Sequence, residues 1–114
     1  MELDKVMNGH HILGMLSDVK ILTTEELAPK MDRVISELGL TEVGRCFYQF
    51  EPYGATGVIL LSESHFSVHT YPEHNSIQLD LYCCSDTFDT NRATDVIMKI
   101  FDADLFQWEY VKRV

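Results

Sequence analysis

The chain has 114 residues, 46% of them hydrophobic, and nine basic against eighteen acidic side chains give a formal charge of -9. That length supplies one domain with a small core, so association with a second copy would help to cover apolar surface. The acidic balance speaks against a nucleic-acid partner, which asks for a basic face, and no apolar run approaches the roughly 18–20 residues of a membrane span.

The opening MELDKVMNGHH lacks a basic-then-apolar leader pattern, so a cytoplasmic location is expected. Cys46, Cys83 and Cys84 are odd in number and include an adjacent pair, which fits reduced thiols better than a disulfide framework.

In chain order, GHHILGML (9–16) reads as a first strand. TTEELAPKMDRVISELG follows as an amphipathic helix, with Thr23 or Thr24 as N-cap and Gly39 just past its end. Leu27, Met31, Val34, Ile35 and Leu38 recur at helical spacing and should face the core, while Pro29 inside the pattern offers a later start. EVGRCFYQF (42–50) reads as a second strand running into the turn EPYGATG, where two glycines and a proline mark a bend. VILLSESHFSVHTYP (58–72) reads as one long strand that Pro72 ends. IQLDLYCC (77–84) alternates, with Ile77, Leu79, Leu81 and Cys83 on one face and Gln78, Asp80, Tyr82 and Cys84 on the other.

SDTFDTNRATDVIMKIF reads as a second helix, capped by an Asp or Thr within 86–90, with Val96, Ile97, Ile100 and Phe101 as its apolar stripe. LFQWEYVKRV reads as a last strand. The order β-α-β-β-β-α-β predicts a single α+β domain over 1–114, a two-layer sandwich of a mainly antiparallel sheet with both helices packed on one face.

The densest chemistry lies in LLSESHFSVHTYPEH (60–74). His65 and His69 would suit a metal on a helix, but the surroundings are strand-like and no CxxC-type pair accompanies them, so no metal is expected. Ser62, Ser64 and Ser67 read singly as polar strand residues, and a Cys84–His69 pair is a conceivable hydrolase arrangement without a cysteine-hydrolase signature around it.

EPYGATGVILLSESHFSVHTYPE (51–73) followed by LDLYCC (79–84) resembles the S-adenosylmethionine decarboxylases of bacterial and archaeal type. Their proenzymes carry a Pro-Tyr-Gly-x-Ser-Gly turn, then Glu-Ser-His-(Leu/Ile)-(Thr/Ser)-Ile-His-Thr-Trp-Pro-Glu, then a strand ending in a catalytic cysteine. GHHIL near the start is similar to the family's Gly-(Arg)-His-(Leu) opening, and the spacing from Ser64 to Cys84 agrees with the family.

The resemblance implies a zymogen that cuts itself between Glu63 and Ser64 into chains 1–63 and 64–114. Ser64 becomes a pyruvoyl group, which forms a Schiff base with the substrate amine and replaces any metal or pyridoxal cofactor. It also implies His69 as processing base, Thr56 as processing support and Cys84 as proton donor, with Cys83 turned to the core. Phe50 would stack on adenine, Glu73 would hold the ribose hydroxyls, and Tyr71 would form a pocket wall. The partners implied are a small-molecule amine, S-adenosylmethionine, whose decarboxylated product donates an aminopropyl group to spermidine, and a second copy of the chain in a dimer.

Three positions depart from the family pattern. Thr56 stands for serine, Tyr71 stands for tryptophan, and Gly14-Met15 stands where an acid is usual. The last departure keeps L-ornithine and L-arginine as alternative substrates, and the three together keep a non-catalytic dimer partner as a further alternative.

Overall fold

The computed structural model describes residues 8–62 and 64–113. There are six strands, β1 (Gly9–Ser17), β2 (Glu42–Gln49), β3 (Ala55–Leu61), β4 (Ser64–Tyr71), β5 (Ser76–Cys84) and β6 (Leu105–Arg113), with helix α1 (Thr24–Glu37) after β1 and helix α2 (Thr90–Phe101) after β5. The strands form one sheet in the order β2-β3-β4-β5-β1-β6, and every neighbouring pair is antiparallel. The predicted α+β sandwich is the fold observed.

One element differs. The stretch expected as a single strand over 58–72 is a hairpin, in which Leu61 of β3 pairs with Ser64 of β4 and only Ser62 and Glu63 lie between them. Two-residue hairpins usually announce themselves with Asn or Gly, and Ser-Glu carries no such signal. The strand-like reading therefore runs through the turn.

Helix α1 starts where its cap dictates. The Thr23 hydroxyl accepts from the Glu26 amide at 3.1 Å, and the Glu26 carboxylate accepts in return from the Thr23 amide at 3.2 Å. This reciprocal box satisfies two amides that a helix start otherwise leaves unpaired, so the helix begins ahead of Pro29, not at it. Asp89 caps α2 by accepting from the Arg92 amide at 3.1 Å. Its buried side is Ala93, Thr94, Ile97, Ile100 and Phe101, with Val96 only partly covered.

The core lies between the sheet and the helices. Ile12, Ile59, Phe66, Val68, Ile77 and Leu81 from the strands meet Leu27, Met31, Val34, Ile97 and Phe101 from the helices, all essentially inaccessible. Each such side chain contributes about 1.5–3 kcal/mol by leaving water.

The alternate residues of the same strands, among them His65, His69, Asp80, Tyr82 and Cys84, therefore point to the other face. Neither helix covers that face, and it carries exposed Leu13, Tyr48, Leu60 and Val111. Among the described residues no helix is long and apolar enough to cross a membrane.

Candidate active site

The turn after β2 is built by Gln49. Its side-chain oxygen accepts from the Thr24 amide at 2.8 Å, and its nitrogen donates to the carbonyls of Leu22 and Gly54 at 3.1 and 2.9 Å. Gly54, at φ 114°, adopts a backbone conformation that a side chain would strain, and its amide donates to Leu22 at 2.7 Å. Phe50 and Tyr53 are thereby held open to solvent on the rim.

A cleft of about 310 Å³ lies below them, bordered by Phe50, Tyr53, Thr56, His69, Tyr71 and Glu73. Three exposed aromatic rings around one cleft offer stacking surface for a planar ligand, and the Glu73 carboxylate offers acceptors for hydroxyls. Thr56 faces His69 across the β3–β4 ladder, and its hydroxyl oxygen lies 3.1 Å from His69 Nδ1. With Nδ1–H donating to that oxygen, the ring is oriented and Nε2 is left as a base. His69 also borders a shallower depression of about 650 Å³ on the open face, shared with Met15, Ser67, Gln78, Asp80 and Gln107.

Ser64 and Cys84 sit at the other end of the same strands. Ser64 is in register with Cys83, the residue beside Cys84. Its Oγ is buried and meets no hydrogen-bond partner among the described residues, so no neighbour competes for the lone pairs of this hydroxyl. Cys83 is fully buried and Cys84 half-buried, as the alternation of β5 requires. The Cys84 thiol donates to the Tyr82 hydroxyl at 3.1 Å. That contact, ahead of burial, pushes the Tyr82 phenol above its ordinary value. Glu63, on the other side of the expected scissile bond, lies outside the described residues.

The structure thus groups Thr56, His69, Phe50, Tyr71 and Glu73 at one end, and Ser64 with Cys84 at the other. Within one chain the two groups do not meet. Ser64 and His69 are five residues apart on β4, about 17 Å at strand rise, and the odd spacing turns their side chains to opposite faces. Sequence reading missed Gln49, Tyr53 and Tyr82. Tyr82 had a signal, since it precedes Cys84 by two residues and so shares its face.

Between the two groups, His65 Nε2 lies 3.0 Å and His11 Nε2 3.7 Å from Asp80 Oδ1. These three ligand atoms lie within 4.8 Å of one another and could hold a cation. The His65–Asp80 contact is also an ordinary hydrogen bond, and His11 Nε2 is buried without one.

Comparison with known proteins draws these features together. The family model for S-adenosylmethionine decarboxylase matches residues 10–114. The S-adenosylmethionine decarboxylase proenzyme of Picrophilus torridus is 38% identical over 112 residues, covering 96% of this chain and 86% of the relative. That of Archaeoglobus fulgidus is 34% identical over 102 residues, covering 87% and 91%. The crystal structure of the adenosylmethionine decarboxylase from Aquifex aeolicus superposes with a TM-score of 0.85 at 34% identity, covering 94% of this chain and 91% of that one. The HHIL stretch (10–13), the hairpin that carries Ser64 and the cysteine ending β5 all fall within the matched span, and the chain belongs to the S-adenosylmethionine decarboxylase family.

Proposed function

We propose that this chain is a self-processing, pyruvoyl-dependent decarboxylase of S-adenosylmethionine, assembled so that each active site draws on two copies. The observation that carries the reading is the division of the site into two half-sites at opposite ends of β4. A two-fold axis running across the strands, with the open faces of two sheets in contact, brings the His69 end of one copy over the strand ends that carry Ser64 and Cys84 in the other, where Cys84 faces the contact and the Ser64 side chain turns to the helix side. The exposed Leu13, Tyr48, Leu60 and Val111 on that face supply apolar surface for such a contact.

Processing follows from the groups present. Ser64 Oγ attacks the Glu63 carbonyl carbon, the C–N bond breaks as the hydroxyl proton passes to the Ser64 amine, and the peptide becomes an ester. The His69 imidazole takes the Ser64 α-proton; the electron pair expels the Glu63 carboxylate and leaves dehydroalanine. Water then releases ammonia and leaves a ketone at the head of residues 64–114, with residues 1–63 held noncovalently. The unpartnered, buried Ser64 Oγ at a hairpin end fits this conversion.

The pyruvoyl group supplies an electron-withdrawing ketone that captures the substrate amine and accommodates the electron pair left by carbon dioxide. Phe50 and Tyr71 then bind the adenine, Glu73 accepts from the ribose hydroxyls, and Cys84 delivers a proton from Sγ to carbon. The product is the aminopropyl donor for spermidine synthesis.

Intact-mass analysis tests the processing, with two fragments expected that divide before residue 64, the second blocked at its N-terminus. Release of labelled carbon dioxide from carboxyl-labelled S-adenosylmethionine tests the substrate. A single uncut, inert chain refutes the enzyme and leaves a non-catalytic dimer partner. One observation favours a second substrate class: Met15 lines the open-face depression beside His69 where the family has an acid. L-ornithine and L-arginine are therefore offered in parallel, and release from either one alone replaces S-adenosylmethionine as substrate.

A further inference from the structure

We infer that Tyr82 is a positioning residue for the proton donor, holding the Cys84 thiol toward the reacting carbon; this rests on the reading of Cys84 as donor given above. Three independent features fix its hydroxyl. The Cys84 thiol donates to the Tyr82 oxygen at 3.1 Å. The Arg113 guanidinium lies over the Tyr82 ring, 4.7 Å from its centroid, and covers it from the β6 side. The ring leans across β1 where Gly9 leaves room: a Cβ on Gly9 would stand 2.7 Å from the Tyr82 hydroxyl and 3.0 Å from the ring. His11 and His65 close the remaining sides, with ring centroids 5.6 and 5.9 Å away.

If packing were the only role, the ring would suffice and phenylalanine would serve. The hydroxyl adds a partner for sulfur in both of its protonation states. Before transfer it accepts the S–H. When the thiol proton passes to the carbon that has lost carbon dioxide, the S–H bonding pair stays on sulfur as a thiolate. The phenol then turns and donates its own O–H to that sulfur. Water returns the proton to sulfur before the next turnover.

Tyr82→Phe tests this with two readouts. In uncut Ser64→Ala protein, where no cofactor forms, the Raman S–H stretching band is assigned to Cys84 by its loss in Cys84→Ala. Loss of the acceptor in Tyr82→Phe is expected to move that band to higher wavenumber. In cleaved protein supplied with S-adenosylmethionine, Tyr82→Phe is expected to cut normally, keep KM and lose about three- to tenfold in kcat, the scale of one hydrogen bond. An unmoved band, or an unchanged kcat in Tyr82→Phe while Cys84→Ala is slow, overturns the role of Tyr82 alone. Full kcat in Cys84→Ala overturns the donor reading and the role of Tyr82 with it.

Discussion

The division of the site predicts complementation between two dead variants. Ser64 and His69 lie about 17 Å apart along β4, whereas proton abstraction needs donor and base within about 3 Å. No side-chain rotation spans that gap, so on the reading proposed above the base for Ser64 is the His69 of a second copy. Ser64→Ala alone and His69→Ala alone are then expected to stay uncut. Co-expressed in equal amounts and pairing at random, about half the dimers are mixed, and each mixed dimer holds one intact site. About half of the His69→Ala chains should be cut, and activity should reach about a quarter of the unaltered enzyme's. Mass spectrometry reads the first number directly, because only the His69→Ala chain can yield the fragment beginning at residue 64. Absence of that fragment from the co-expressed sample, with mixed dimers confirmed by differential tags, would refute an interchain site.

The other expectations are simpler. Ser64→Ala should give a folded chain of undivided mass with no carbon dioxide release. Cys84→Ala should cut normally but turn over slowly, and lose activity progressively as protons reach the cofactor instead of the substrate. Cys83→Ala, on the buried face, should keep cleavage and kcat and cost on the order of 1 kcal/mol in a denaturant titration. Phe50→Ala, which empties one wall of the 310 Å³ cleft, should raise KM about tenfold with little change in kcat, the pattern of lost binding that does not distinguish ground from transition state.

Much of the fold could be read before any coordinates because local signals agreed with the tertiary outcome. Thr23 and Glu26 flank a run whose Leu27, Met31, Val34 and Ile35 all prove buried, and the strict alternation of β5 puts Cys83 inside and Cys84 outside. What failed to show was geometry that leaves no compositional trace. Ser62-Glu63 carries none of the residues that positive-φ turns select, so one strand was expected where the chain folds back on itself. The motif from Ser64 to His69 looks compact when written as text, yet along an extended strand its ends stand about 17 Å apart. Gln49 reads as an ordinary strand glutamine, and only the fold brings the Leu22 and Gly54 carbonyls to it.

The composition of the open face fits the same conclusion from another direction. An antiparallel sheet that faces water on one side normally shows polar residues there. Here exposed Leu13, Tyr48, Leu60 and Val111 share the face with His65, Asp80 and Tyr82. Such a mixture suits a surface to be covered by another sheet whose polar groups must also be paired. On the reading proposed above, a chain that meets no partner keeps Ser64 out of reach of His69 and stays a closed peptide. On that reading cleavage at Glu63–Ser64 records assembly, and the cofactor forms only where the second copy has supplied the cleft that binds substrate.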